Sequence, residues 1–327
     1  MTQKGNKIFS SIVASAVIIV LAIIQLLVDQ PLLLLERFIT GGGWIQISAL
    51  GAYSWFLAYR MSSPGEQAKW RVKSWTIFSI VFFSQLGLGM LVDSRFLMSG
   101  DLHLPVPMMI LAGPVYRMQI SFMPILFLST VVLSGPAWCS QLCYFGALDA
   151  QAAKVRRKGI IKDKSALKKL RFTVLVLVIA AAVFLRILNV PVLYTTILAA
   201  LFGIAGLLII TGLSVKSGRM IHCISYCPIG TLIAYLKFLN PFRFKIASSC
   251  TSCYRCIPEC KYGALDKETI SKLKPGINCT LCGDCISVCK PGSLHYKFPG
   301  LNPVGSKFLY LGITISLHAI FMAMARI

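Results

Sequence analysis

Acidic residues are scarce in this chain. Its 327 residues include 11 Asp+Glu against 33 Lys+Arg, and charged side chains make up 13%, where a soluble domain carries about 25%. That shortage argues against a protein soluble throughout. In a soluble protein the basic excess would suggest nucleic acid. Here it is parcelled between long apolar runs, so membrane lipid is the expected partner and nucleic acid is not. Histidine is scarcer still, confined to His103, His222, His295 and His318. Only His318 falls in an apolar run, and bis-histidine ligation needs two, so no heme b is expected from this chain alone. Paired catalytic carboxylates, a Ser/His/Asp set and a phosphate loop are all missing, so hydrolytic and phosphoryl-transfer chemistry is not expected. Gly41–Gly42–Gly43 lacks the strand–turn–helix setting of a nucleotide fingerprint and reads as a turn.

What the chain has in abundance is apolar sequence. Seven runs approach the ~20 residues that a hydrocarbon core of about 30 Å demands of a helix: Ile8–Val28, Trp44–Tyr59, Ser74–Val92, Met118–Trp138, Phe172–Leu188, Val192–Val215 and Ser306–Ala325. The second is short and interrupted by Gly51. The first is longer than a signal-peptide core and is expected to be a retained anchor. With the N-terminus in the cytoplasm, cytoplasmic segments collect 28 of the 33 basic residues, nine of them in Lys154–Arg171. That asymmetry predicts the orientation. It leaves Arg37, Arg95, Arg117, Arg186 and Arg326 outside and puts all twelve cysteines on the cytoplasmic side. Thiols stay reduced there, so metal ligation is expected in place of disulfides.

Eight cysteines form two runs, Cys250-x2-Cys253-x2-Cys256-x3-Cys260 and Cys279-x2-Cys282-x2-Cys285-x3-Cys289. This is the spacing of bacterial two-cluster ferredoxins, in which the fourth cysteine of each run reaches the other cluster. Two [4Fe–4S] clusters are expected: one on Cys250, Cys253, Cys256 and Cys289, the other on Cys279, Cys282, Cys285 and Cys260. The runs share the pattern Cys-Thr-x-Cys-x-x-Cys-Ile-x-x-Cys-Lys-x-Gly-x-Leu at an offset of 29 residues, which suggests two strand–helix–strand halves. Lys261 and Lys290 replace the usual proline after the fourth cysteine. Zinc is the competing reading of clustered cysteines, and two complete runs at this spacing disfavour it.

The other four cysteines make a second repeat, Cys-x3-Cys-x-x-Gly-x-Leu, from Cys139 and Cys143 and again from Cys223 and Cys227. Each copy sits where an apolar run reaches the cytoplasmic face. If the chain stays helical there, cysteines at i and i+4 share one side and can chelate together. Four thiolates could hold a third iron–sulfur cluster, or a redox-active thiol or transient metal site; buried structural cysteine is the bland alternative. His222 beside Cys223 could tune or ligate a metal. His318 could meet a quinone or simply pack between helices, and Gln85 is expected to hydrogen-bond between helices. Asp101 and His103 have no assigned task.

The paired C-x3-C motifs followed by a tandem cluster module, across residues 118–298, resemble the NapH/NosR-type membrane polyferredoxins, a family of 4Fe-4S binding membrane proteins. The stretch from Pro105–Val106–Pro107 to Ala112–Gly113–Pro114 adds to the likeness. The family pattern C-x3-C-P is kept at Cys227–Pro228 and lost at Cys143–Tyr144, which opens the question of whether the first copy folds like the second. The resemblance implies electron transfer between a cytoplasmic or quinone-pool partner and a respiratory or reductase partner. It also implies an electron-transfer subunit of an oxidoreductase complex, in preference to a stand-alone enzyme, with other redox subunits in a hetero-oligomeric complex in a bacterial or archaeal cytoplasmic (inner) membrane. The compact NapH-like plan fits better than NosR-like or CcoG-like plans, which add extracytoplasmic domains. A CcoG-like metal-reducing assembly factor and a redox-sensing membrane anchor are the alternatives.

The expected architecture is an α-helical membrane bundle of about seven spans with an inserted α+β two-cluster ferredoxin-like domain. Residues 1–245 would form the transmembrane domain with both C-x3-C motifs, 246–298 the cytoplasmic ferredoxin-like domain, and 299–327 the final helix.

Overall fold

The structure, a computed structural model, describes residues 3–97, 104–119, 122–156 and 164–324. Asp101, His103, Arg326 and residues 157–163 of the basic loop lie outside them. The chain is mostly helical. It begins with α1 (Gln3–Leu27), α2 (Gly42–Ser62), α3 (Gln67–Leu91), α4 (Met109–Arg117) and α5 (Phe122–Ser134). Then come α6 (Tyr144–Ala152), α7 (Lys164–Ile187), α8 (Val192–Ile209), α9 (Val215–Ser217) and α10 (Pro228–Leu236). Strand β1 (Arg243–Ile246), α11 (Cys256–Glu259), α12 (Lys267–Ser271), strand β2 (Leu294–Lys297) and α13 (Pro303–Met324) complete it.

Five segments are long and apolar enough to cross a membrane: Gln3–Leu27, Gln67–Leu91, Ala166–Ile187, Val192–Ser217 and Pro303–Met324. α1 shows why lipid suits them. Ser10, Val13, Val17 and Leu21 recur at helical spacing and are buried, while Ile12, Ile19 and Ile23 stand exposed on the other side. Water would penalise that outer face, and lipid tails do not.

Two of the seven expected spans look different in the structure. The second becomes the 21-residue α2, but Gln46, Ser48, Ser54 and Arg60 keep it from the apolar level of the five. The fourth was expected to run unbroken from Met118 to Trp138. Instead α5 has 13 residues, and Gly135 follows it with φ +62°. Thirteen residues rise only about 20 Å, short of a hydrocarbon core.

The chain divides into two compact units, Met1–His103 with Leu301–Ile327, and Leu104–Gly300. In the first, α1, α2 and α13 pack through Val17, Leu21, Ile47, Leu50, Ala319 and Ala323. Gly51 lets α1 approach closely, since a Cβ there would lie 2.6 Å from Ile18. Of the glycine run, Gly41 adopts φ +82° ahead of α2, and Gly42 and Gly43 begin the helix. His318 is buried, its Nε2 3.1 Å from the Tyr53 hydroxyl and its ring 5.4 Å from Phe78. That is the packing role. Gln85 is buried in α3, but its Oε1 has no hydrogen-bond partner among the described residues, so the expected interhelical bond through that atom is absent.

The second unit holds all twelve cysteines. In it β1 and β2 pair antiparallel, with Phe244 opposite Tyr296 and Ile246 opposite Leu294. Period-2 alternation turns these four side chains inward. Two strand–helix–strand halves were expected from the duplicated runs. Among the described residues there is one strand before the first run and one after the second, because the intervening chain is consumed by cysteine-bearing loops and short helical turns.

Candidate iron–sulfur sites

Each ferredoxin run forms a loop whose backbone repeats in the other. Ser252 and Tyr254 in the first have φ +52° and +58°, and Leu281 and Gly283, 29 residues on, have φ +58° and +79°. Left-handed backbone at a non-glycine residue costs roughly 1–2 kcal/mol, so its appearance at matching positions marks a loop held to one shape. The shape gathers thiols across the duplication. Cys250, Cys253, Cys256 and Cys289 line one hollow, and Cys260, Cys279, Cys282 and Cys285 line another.

The C-x3-C copies also repeat each other. A π-helical turn, Trp138–Leu142 in one and His222–Tyr226 in the other, leads to the second cysteine. Cys143 (φ −83°, ψ 118°) and Cys227 (φ −72°, ψ 117°) then leave the helix and cap the next one. Their sulfurs accept the backbone N–H of Gly146 at 3.4 Å and of Gly230 at 3.5 Å. This accounts for the Cys-x-x-Gly spacing. A single helical face through both cysteines was expected, and the structure replaces it with a π turn and an extended cysteine; π turns are often found at functional sites. Tyr144 stands where Pro228 begins α10, and both copies keep the same backbone.

Burial dominates the thiol chemistry. It pushes Cys143 up to about 12 and Cys227 up to about 11, and takes Cys139 and Cys223 well above the usual thiol range. Cys223 is raised further by Asp149, Cys227, Cys143 and Cys139, so the four sulfurs lie within electrostatic reach of one another. In the ferredoxin runs burial raises Cys256, Cys260 and Cys279 to about 11 and Cys285 well above the usual range. Exposed Cys253 goes the other way, lowered first by the backbone N–H of Arg255. Near neutral pH, buried thiols of this kind ionise when a metal takes the place of the proton.

The spacing of the sulfurs suits an iron cluster better than one zinc ion. Tetrahedral zinc with Zn–S of about 2.3 Å needs sulfurs about 3.8 Å apart. All twelve cysteines are described, and no three of their sulfurs come within 4.8 Å of one another. In a cubane each thiolate binds a different iron, which spreads the ligands.

Residues outside the motifs join the sites. Arg171, at the start of α7, is buried; its Nη1 donates to Asn278 Oδ1, beside Cys279, and its Nη2 to the Gly230 carbonyl at 3.4 Å. Arg219 donates to the carbonyls of Ile257 and Cys260. Both arginines carried weight in the sequence only as positive-inside charges, and nothing in their spacing marks them as anchors. Arg171, Cys139, Cys223, Tyr262, Asn278 and Cys279 border a third hollow, so C-x3-C thiols and a ferredoxin thiol share one wall. Two further residues missed from the sequence are Tyr262 and Asp149. Asp149 is fully buried, and its Oδ2 accepts the Cys223 N–H at 3.0 Å. A rare acid one position beyond the Cys-x3-Cys-x-x-Gly-x-Leu copy was the available signal. Burial raises it to about 6 and lowers neighbouring His222 to about 4. His295, in β2, faces Lys245 across the ladder.

Comparison with curated proteins and with solved structures yields no match. A family of 4Fe-4S binding domains matches residues 118–162 and 199–246. The matched segments contain Cys139, Cys143, Cys223 and Cys227, and they support 4Fe–4S binding and an iron–sulfur protein.

Proposed function

We propose that this chain is a membrane-bound iron–sulfur electron carrier that relays electrons between a cytoplasmic or quinone-pool partner and a respiratory or reductase partner. The observation that carries the reading is that two thiol quartets each line a hollow, and that Cys139 and Cys223 of the C-x3-C pairs border a third hollow together with Cys279. Cys250, Cys253, Cys256 and Cys289 would hold one [4Fe–4S] cluster, Cys260, Cys279, Cys282 and Cys285 a second, and Cys139, Cys143, Cys223 and Cys227 a third. A thiolate-bound cubane supplies one-electron chemistry at a potential set by hydrogen bonds and exposure.

The protein's own groups do the rest. The N–H donors of Gly146, Gly230 and Ala264 steady the sulfurs of Cys143, Cys227 and Cys260. Arg171 bridges the C-x3-C region and the Asn278–Cys279 loop, placing a fixed positive charge beside thiols that become anionic on metal binding. Burial excludes water from them. The apolar helices support membrane association, and the basic bias argues for a cytoplasmic ferredoxin segment.

Iron and sulfide counts with an EPR redox titration on anaerobically purified protein test this. About twelve irons are expected for three cubanes. Cys139→Ala and Cys223→Ala should each delete the same EPR species. Cys289→Ala should delete the species lost in Cys250→Ala, and Cys260→Ala the one lost in Cys279→Ala. Eight irons with every species intact in Cys139→Ala would sink the third quartet.

A further inference from the structure

We infer that Asp149, His222 and Cys223 form a site for a single divalent cation of the zinc or ferrous class, on the flank of the C-x3-C quartet. Among the described residues these three have ligand atoms all within 4.8 Å of one another. That is the spacing of donors around one ion, and the cysteine quartets do not show it.

The donors are also unspent. Asp149 has 0% exposure; its Oδ2 takes the Cys223 N–H and its carboxylate also meets the Ser214 and Cys223 side chains, but its Oδ1 has no hydrogen-bond partner among the described residues. His222 has 3% exposure, and among the described residues its Nδ1 has no hydrogen-bond partner either. Buried polar atoms are nearly always satisfied, so two orphans beside one thiol, 73 residues apart in sequence, need an explanation. A cation held by Asp149, His222 and Cys223 supplies one. The imidazole is held in place by the rings of Phe145 and Tyr226, at 5.6 and 5.7 Å, and by Gly206, where a Cβ would lie 3.0 Å from Nε2.

The donor set selects the metal. One carboxylate oxygen, one imidazole nitrogen and one thiolate suit zinc or ferrous iron. Magnesium and calcium want oxygen throughout. Three protein ligands leave a fourth position open, as in zinc sites that bind water or substrate. Cys223 can serve both this ion and the quartet, because a thiolate keeps lone pairs after binding one metal. The inference therefore goes beyond the proposed function and stands with or without a third cluster.

Zinc alone is the probe. Full-length purified protein is equilibrated with Zn²⁺, freed of loose metal by dialysis, and analysed for zinc, iron and sulfide by mass spectrometry alongside EPR. Wild type should retain about one zinc more than an Asp149→Asn/His222→Gln double variant, with zinc absorption spectra showing one sulfur near 2.3 Å and lighter N/O ligands near 2.0–2.1 Å. The single variants Asp149→Asn and His222→Gln should each lose that zinc while the ferredoxin-run EPR signals persist, which separates loss of the site from loss of the fold. Equal zinc in wild type and variants, no retained zinc in wild type, or an all-sulfur shell would each overturn the site. Cys139→Ala distinguishes the two readings: it should delete the third EPR species and keep the zinc. Persistence of every EPR species there counts against the proposed cluster, whereas disappearance of the zinc counts against this site.

Discussion

The hydroxyl of Tyr262 donates to the carbonyl of Cys139 across 2.7 Å, linking residues 123 positions apart. Tyr262 stands at the variable position of the ferredoxin repeat that Pro291 fills in the second run, so only the first run can make this bond. Tyr262→Phe removes this donor from the Cys139 carbonyl. A loss of about 1 kcal/mol, rising to about 3 if the group stays dry, is expected. The variant should lose iron at a lower temperature than wild type, and the EPR species tied to Cys139 should change most. An unchanged temperature profile and spectrum would make the bond incidental.

Gly230 is required where it stands. A Cβ there would lie 2.7 Å from the Cys223 carbonyl, backbone that cannot give way like a side-chain tip. Gly230→Ala should displace the turn that aligns Cys227 and lower the iron content by about four atoms per chain, the content of one cubane. The ferredoxin-run signals should survive. Full iron content in the variant would refute the argument.

Arg171 should tune the C-x3-C quartet through charge. Its guanidinium acts on Cys139 and Cys227, and a nearby cation favours the more reduced, more negative state. Arg171→Met should lower the midpoint potential of the species lost in Cys139→Ala by an amount on the order of tens of mV. Arg171→Lys should recover much of that shift while losing the forked contacts to Asn278 and Gly230. A potential that fell equally in both variants would assign the effect to geometry.

Cys253 should be the most reactive thiol once metal is removed. It is exposed and its thiol is lowered, chiefly by the Arg255 N–H, whereas burial raises Cys256, Cys260 and Cys279. A lower value means more thiolate at a given pH, and thiolate is the nucleophile. Alkylation of metal-free protein below pH 9, read by peptide mass spectrometry, should label Cys253 first. Raising the pH toward 11 should let the buried thiols catch up. Uniform labelling at the lower pH would contradict the burial pattern.

Much of this was legible in the sequence because it is local. Ligand spacing at Cys250–Cys260 and Cys279–Cys289 is a property of a dozen consecutive residues, and so is the hydropathy of α1, α7 or α13. The Cys-x-x-Gly repeat could be seen but not explained, since its reason is an N–H···S bond visible only in three dimensions. Periodicity misread 118–138 as one helix, because apolar composition does not register the left-handed turn at Gly135. It also suggested two extra strands, because the duplication of the cysteine runs implies more symmetry than short loops can build.

The sequence alone determined that the chain has membrane-length apolar helices and metal-binding cysteine runs, both dictated by short-range covalent spacing. Only the tertiary structure decided which distant groups meet them. Arg171, Asp149, His222 and Tyr262 reach the cysteines from separate segments, and such convergence is set by packing and by the need to satisfy buried charge. No local pattern records it.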